Sequence, residues 1–123
     1  MSAKPPLEEG QVWSVHGMPN AAALVGRIDD EDEASIVHLF VTVDTPPHLV
    51  GRFGPRLELG HMPFYRDTID EAFDALLKTQ QMPPSVFAEA YAAWRADDEA
   101  GVFDMPLNEA IDGVIAIALG GAA

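Results

Sequence analysis

The residues best suited to chemistry lie between Thr45 and Arg66, the one stretch of the chain in which basic side chains outnumber acidic ones. This stretch, the basic island, holds three of the seven basic residues and one of the twenty acidic residues. Guanidinium groups bind carboxylates and phosphates through paired hydrogen bonds, and imidazole and phenol groups add further donors. The basic island could therefore bind a small anionic ligand, but internal salt bridges to the many carboxylates would use the same arginines and are the interpretation we favour. The predicted ligand-binding residues are Arg52, Arg56, Arg66, His48, His61 and Tyr65.

Of the four histidines, His61 is the one we expect to be placed for acid–base chemistry. It is predicted to lie in a turn, Gly60 to Pro63, where the chain passes from sheet to helix, and such loops often carry function. His38, inside a predicted strand, is expected to be a hydrogen-bonded packing residue. No two histidines have the spacing of a metal-binding or catalytic motif, so His61 is a candidate without a predicted partner.

The sequence offers little else for catalysis or for a bound metal. It contains no cysteine, and no serine stands in a Gly-x-Ser-x-Gly motif. The acidic run from Asp29 to Glu33 lacks the glycine and distal glutamate of an EF-hand loop, and it is predicted to be a solvated hairpin loop. We therefore expect no metal and no cofactor, and we favour a non-catalytic protein while an enzyme stays open as an alternative.

Charge and hydropathy exclude several classes of protein. The formal net charge of −13 repels phosphates, so we expect no nucleic-acid partner. The longest apolar run, Val114 to Leu119, is far shorter than the ~20 residues that span a membrane, and the first ten residues lack the pattern of a signal peptide. We expect a cytoplasmic protein, and the preference for alanine and for arginine over lysine is typical of a bacterial one.

The first half of the chain, residues 11–59, predicts strands. Apolar and β-branched runs bounded by turn residues predict three strands and a weaker fourth at the edge. In the third strand Val37, Leu39, Val41 and Val43 lie on one face, and Ile36, His38, Phe40 and Thr42 lie on the other, which is typical of a central strand. The four runs are Gln11–His16, Ala22–Ile28, Ser35–Val43 and Arg56–Leu59.

The second half, residues 66–119, predicts helices. A stripe of Ile69, Phe73, Leu76 and Leu77 predicts a helix from Asp67 or Thr68 to Met82. A second helix begins at Pro83 or Pro84, carries Phe87, Tyr91 and Trp94 on one face, and ends before Gly101. A third runs from about Pro106 to Leu119. We predict one α+β domain over residues 1–123, in which a small curled antiparallel sheet of three or four strands is packed by two or three C-terminal helices.

The last helix is apolar on nearly all sides, which a single covering helix cannot bury alone. It either lies at the centre of the fold or contacts a second copy of the chain. A homodimer is expected, with Val114, Ile115, Ile117 and Leu119 at its interface.

The leading functional hypothesis is a protein-interaction module that binds a partner through an acidic helical surface or through the basic island. The first alternative is a small-anion binding protein or enzyme that uses Arg52, Arg56 and Arg66 with His61 as acid or base. The second is an acidic antitoxin or immunity-like inhibitor that covers a basic nuclease.

Overall fold

The chain forms one open antiparallel sheet with helices on both faces. The computed structural model describes residues 6–30, 35–69, 71–97 and 99–118, and in these residues the strand order is β4-β3-β2-β1-β5. The sheet is not closed, because β4 and β5 lie at opposite edges. The strands are β1 (Val12–Val15), β2 (Met18–Asp30), β3 (Ser35–Asp44), β4 (Arg56–Tyr65) and β5 (Phe73–Lys78). The helices are the single turns α1 (Val50–Phe53) and α2 (Arg66–Ile69), and the longer α3 (Ser85–Ala96) and α4 (Leu107–Ala118).

The predicted α+β class is confirmed, but the number of strands was wrong, because the fifth strand lies where a helix was predicted. The segment from Asp67 to Met82 forms the single turn α2 and then β5. β5 pairs antiparallel with β1, and the Phe73 ring stacks on Trp13 at a centroid distance of 5.7 Å. Pairing with β5 supplies hydrogen-bond partners to the backbone at the edge of β1 and buries the ring of Phe73. These tertiary contacts outweigh the local helical pattern.

β4 is also longer than the sequence predicted. The weak strand expected from Arg56 to Leu59 continues to Tyr65, so the predicted turn from Gly60 to Pro63 was wrong and His61 lies inside the strand. A proline is tolerated there because β4 is an edge strand, and a proline nitrogen can face away from the sheet at an edge.

The first face of the sheet carries the main core. β3 lies between β2 and β4, as predicted for a central strand, and its odd-numbered residues from Val37 to Val43 are buried on this face. Helix α4 covers them with Leu107, Ala110 and Ile111. The predicted position of this helix is confirmed over the described residues.

The second face is covered by α3, which begins directly after Pro84, as the two prolines predicted, and ends at Ala96. Its Phe87 ring packs on Leu24 and Phe40 in a smaller apolar cluster. Within the described residues, no helix is long and apolar enough to cross a membrane.

Candidate functional site

Helix α3 places three aromatic rings over two histidines on the second face of the sheet. Its spacing of Phe87, Tyr91 and Trp94 puts these side chains on one side of the helix. Tyr91 and Trp94 each lie edge-on or steeply inclined to the His38 ring, with centroids 4.8 Å away. Phe87 lies 5.7 Å from the ring of His61. The aromatic stripe predicted from the sequence is therefore the wall of a histidine cluster.

Two β-bulges bring the polar members of this cluster to the same face. In β2, Val25 pairs with Leu39 and Arg27 pairs with His38, so Gly26 is an extra residue. Because side chains alternate along a strand, this insertion turns Arg27 and Asp29 onto the second face.

The second bulge lies in β4. Leu59 pairs with Val41 and Met62 pairs with Leu39, so Gly60 and His61 together lie opposite Phe40. The insertion leaves Leu59 and Met62 on the core face and turns His61 onto the second face, beside His38.

Asp29, His38 and His61 form a continuous hydrogen-bonded chain. His38 Nε2 lies 2.9 Å from Asp29 Oδ2, and His38 Nδ1 lies 2.7 Å from His61 Nε2. The two imidazole rings are nearly parallel and lie edge to edge, with an interplanar angle of 16° and a centroid distance of 5.0 Å. His38 is fully buried, and both of its ring nitrogens are hydrogen-bonded, which is what a buried polar side chain requires. The hydrogen-bonded chain of side chains ends at His61, which is half-buried.

When both imidazole rings are neutral, the chemistry of their hydrogen-bond partners fixes which ring nitrogens carry the protons. A carboxylate only accepts hydrogen bonds, so Nε2 of His38 carries the proton and donates to Asp29. Nδ1 of neutral His38 is then an acceptor, and His61 must donate to it from Nε2. Neutral His61 therefore keeps its lone pair on Nδ1. The hydrogen bonds set the tautomer of each ring in turn.

The protonation states agree with this arrangement. Burial, together with the charge that His38 can carry, lowers the pKa of His61 to about 4. Burial also lowers the pKa of His38 below its ordinary value and outweighs the opposing attraction of Asp29. Both rings are therefore neutral at pH 7.

Asp29 is held as a carboxylate by groups on three elements, β2, β3 and α3. Its Oδ2 accepts a second hydrogen bond from the Tyr91 hydroxyl, 2.8 Å away. Arg27 Nε lies 3.4 Å from Oδ1, and Arg95 Nη1 lies 3.9 Å from Oδ2. Burial of the carboxyl acts in the opposite direction, but the hydrogen bonds from Tyr91, His38 and Arg27 lower its pKa on balance. Burial and this hydrogen bond raise the pKa of Tyr91.

Beyond Phe87 the second face of the sheet opens into a groove with a volume of about 460 Å³. Its floor is mainly apolar and consists of residues from β1, β2 and β3, while its walls come from β4, β5 and the segment before α3. The floor residues are Val12, Ala22, Leu24, Phe40 and Thr42. The wall residues are Arg56, Glu58, Leu77, Lys78, Gln81, Met82 and Pro84.

The structure does not bring the six predicted ligand-binding residues together. Arg56 begins β4 and Arg66 follows its end, so about 30 Å of strand separates them. One small anion cannot contact both arginines. Arg56 lies on the wall of the groove, with its Nε 3.4 Å from Asp44 Oδ1, and Arg52 lies against the ring of Phe53. The remaining members, His48 and Tyr65, are exposed, and among the described residues neither forms a hydrogen bond or a ring contact with His61. Ligand binding at any of these residues stays a prediction.

One other predicted feature differs from expectation. The acidic run was predicted to be a solvated loop, but Asp29 and Asp30 belong to β2 and Asp29 is part of the hydrogen-bonded chain. The rest of that run lies outside the described residues. His16 follows the end of β1 and is exposed, and its Nδ1 lies 3.0 Å from Asp74 Oδ1. Among the residues that the structure describes, no group of histidine and acidic side chains could hold a metal ion.

Three of the four predicted interface residues lie on α4. Val114 and Ile115 are half-buried against the main core, whereas Ile117 is 78% exposed. Leu119 lies outside the described residues.

Sequence reasoning missed the partnership of His38 with Asp29 and His61. The bulges, which create it, leave only a weak signal in the sequence, namely a glycine inside each strand, Gly26 and Gly60.

Comparison of the chain with protein-family models, with curated proteins and with solved structures found no match. The site must therefore be interpreted from its own geometry.

Proposed function

We propose that this protein is a non-catalytic protein-interaction module, and that the groove on the second face of the sheet binds an apolar segment of a partner protein. The observation that carries the proposal is the exposure of large apolar side chains above an apolar floor. Leu77 is 54% exposed and Met82 is 89% exposed, and both line the groove. Apolar side chains exposed around a concave apolar surface are typical of binding sites.

The floor of the groove favours a helical partner segment. Its residues belong to β1, β2 and β3, each of which is paired on both sides within the sheet. The floor therefore offers no unpaired backbone to an extended peptide, whose own backbone groups would lose water without gaining partners. A helix satisfies its backbone internally, and α3 already packs on this face in that way.

The charges at the walls favour acidic residues in the partner segment. Arg56 of β4 and Lys78 of β5 lie on opposite walls, and Glu58 is the one acidic side chain among the described residues that line the groove. Among the described residues, no ion-pair partner of Lys78 lies within reach. An amphipathic helix with an apolar stripe and acidic flanks would complement both the floor and these walls.

The proposal is tested by selecting peptides from a phage-displayed library of random 16-residue sequences on the wild-type protein. We expect enrichment of apolar residues at helical spacing with aspartate or glutamate beside them. The double substitution Leu77→Ser and Met82→Ser should lower the affinity of the protein for the selected peptides by at least about tenfold, which corresponds to ~1.4 kcal/mol. The matched control is Met105→Ser, which removes an exposed apolar side chain from the segment before α4, outside the groove, and should leave peptide affinity unchanged.

Three outcomes would overturn the proposal: no enrichment over an unrelated acidic protein, equal loss of affinity in the control, or peptides that bind the double variant as tightly as the wild type.

We also propose a homodimer through α4, because Ile117 projects into solvent from a helix whose other face is buried. Native mass spectrometry should then show twice the chain mass of 13.3 kDa, and Ile117→Glu should shift the protein to the monomer. A monomeric wild-type protein at micromolar concentration would refute it. The small-anion and antitoxin hypotheses, and the cytoplasmic location, stay predictions.

A further inference from the structure

Of the four ring nitrogens in the histidine pair, Nδ1 of His61 has no hydrogen-bond partner among the described residues. The other three nitrogens are used by the bonds between Asp29, His38 and His61. Among the described residues, Thr45 Oγ1 is the one buried side-chain polar atom that lacks a hydrogen-bond partner. Nδ1 of His61 also lacks a partner but is not buried in this way, so solvent reaches it. A lone pair that is fixed by its neighbours and reached by solvent can act as a nucleophile.

We propose that Nδ1 of His61 is an acceptor site for an activated acyl group, and that His38 and Asp29 take up the proton released by this reaction. The arrangement has the logic of a catalytic triad, in which a carboxylate orients an imidazole that in turn accepts a proton from the attacking group. Here the attacking group is the second imidazole, and His38 and Asp29 are positioning residues.

The reaction balances as follows. The Nδ1 lone pair of His61 forms a bond to the acyl carbon, and the bond from that carbon to its leaving group breaks with the electron pair on the leaving group. The positive charge that develops on the His61 ring is relieved when its Nε2 proton moves to Nδ1 of His38, 2.7 Å away. The resulting His38 imidazolium is stabilised by the Asp29 carboxylate, which lies 2.9 Å from its Nε2.

An acyl donor suits this site better than a phosphoryl donor. The groups packed around the His61 ring are the rings of Phe87, Tyr91 and Trp94, which favour an uncharged, partly apolar reagent. The chain carries a net charge of −13, which disfavours the approach of a phosphate anion. Arg27 and Arg95, the cations nearest to the chain of hydrogen bonds, contact Asp29.

The test uses diethyl pyrocarbonate, a neutral reagent that transfers an ethoxycarbonyl group to imidazole and releases ethyl carbonate. Labelling rates are read for each histidine by peptide mass spectrometry of the full chain at pH 7. We expect His61 to be labelled at least about tenfold faster than His16 and His48, which are exposed and serve as references in the same molecule. Asp29→Asn should remove this advantage, because an asparagine amide can donate to His38 and reverse the tautomers of both rings.

The matched control is Asp30→Asn. Asp30 is the next residue of β2, is exposed, and accepts a hydrogen bond from Ser35 instead of from a histidine. This variant loses the same charge and should keep the fast labelling of His61.

A second measurement on the wild-type protein keeps the inference testable if Asp29→Asn does not fold. Nitrogen-15 NMR of the histidine side chains should show Nε2 protonated and Nδ1 unprotonated in both His38 and His61 at pH 7. A proton on Nδ1 of His61 would overturn the proposal. So would unlabelled His61 in a protein whose His16 and His48 are labelled, or equal labelling of His61 in the wild type and in folded Asp29→Asn.

Discussion

At the scale of single residues, the histidine cluster shows how a fully buried imidazole is tolerated in this sheet. A buried polar group without partners costs about 1–3 kcal/mol, and His38 avoids that cost because each of its nitrogens has a partner. The contact between the rings allows at most one of them to be protonated, because two protonated rings would each present a proton at the 2.7 Å contact. Acid should therefore act against the folded state at this cluster.

The first prediction concerns the pH dependence of stability. Unfolded His61 binds its proton near the ordinary pKa of 6.5, whereas folded His61 binds it only near 4. Between these values the unfolded chain holds more protons. The contribution of His61 to the free energy of unfolding is therefore greatest above pH 6.5 and falls as the pH falls to about 4. The lowered pKa of His38 acts in the same direction over this range, and the lowered pKa of Asp29 adds a further loss near and below its ordinary value of 3.8. From the size of the shift, His61 should account for about 1–3 kcal/mol of this loss.

Urea unfolding at pH 7 and at pH 4.5 measures this loss. His61→Asn should reduce the difference between the two pH values, while His48→Asn, at an exposed position, should leave it unchanged. If the free energy of unfolding fell by the same amount between pH 7 and pH 4.5 in the wild type and in His61→Asn, His61 would not be the cause of the loss.

The second prediction concerns the hydroxyl of Tyr91, which donates to Asp29 over 2.8 Å. Tyr91→Phe removes that donor and keeps the ring, so the free energy of unfolding should fall by about 1.5–3 kcal/mol, the range for a hydrogen bond to a charged acceptor. Tyr65→Phe is the matched control, because Tyr65 is 40% exposed and its change should cost less than about 0.5 kcal/mol. Chemical denaturation at pH 7 compares the two variants, and equal effects would show that the bond contributes nothing.

At the scale of secondary-structure elements, the bulges in β2 and β4 determine which side chains reach the second face. Each adds one residue to its strand, and one added residue reverses the facing of every residue beyond it. Asp29 and His61 would otherwise point toward the core that α4 covers. The bulge in β2 also lets α3 approach closely, because Gly26 lies directly beneath the Phe87 ring.

The third prediction tests this close approach. A Cβ at Gly26 would overlap three ring atoms of the buried Phe87, so Gly26→Ala should lower the free energy of unfolding by about 1–3 kcal/mol through overpacking. Gly60→Ala is the matched control in the other bulge, where a Cβ would meet only a methyl of Val86 at 3.8 Å. Thermal and urea unfolding measure both variants. A Gly26→Ala protein as stable as Gly60→Ala would mean that α3 packs less closely on β2 than described.

At the scale of the whole molecule, the two faces of the sheet are covered to different extents. α4 buries the first face, while α3 covers part of the second face and leaves the groove beside it. The charge is also uneven, since the groove walls carry two of the seven basic residues within a chain of net charge −13. Such a net charge keeps a protein soluble but destabilises the compact state through self-repulsion.

The fourth prediction concerns this self-repulsion. Sodium chloride at about 0.5 M reduces the screening length to a few ångströms, so repulsion among the carboxylates should weaken and the melting temperature should rise by a few degrees relative to low salt. Differential scanning calorimetry at pH 7 measures the change. A fall in melting temperature with added salt would indicate that attractive ion pairs, such as Arg27 with Asp29, dominate instead.

The sequence by itself determined the features that depend on local pattern. The alternation in β3 predicted its two faces and its central position, and the prolines before Ser85 and the spacing of Phe87, Tyr91 and Trp94 predicted α3. The α+β class followed from these patterns, because each requires an apolar surface to pack against.

Only the tertiary structure decided the features that depend on pairing. β5 became a strand because β1 had an unpaired edge, although its local pattern favoured a helix. The hydrogen-bonded chain of Asp29, His38 and His61 joins three strands through two bulges, and a bulge is specified by the register between strands, which no single strand contains. The chemistry of this cluster was therefore present in the sequence as residue types, while their contact was set by strand register and by the packing of α3.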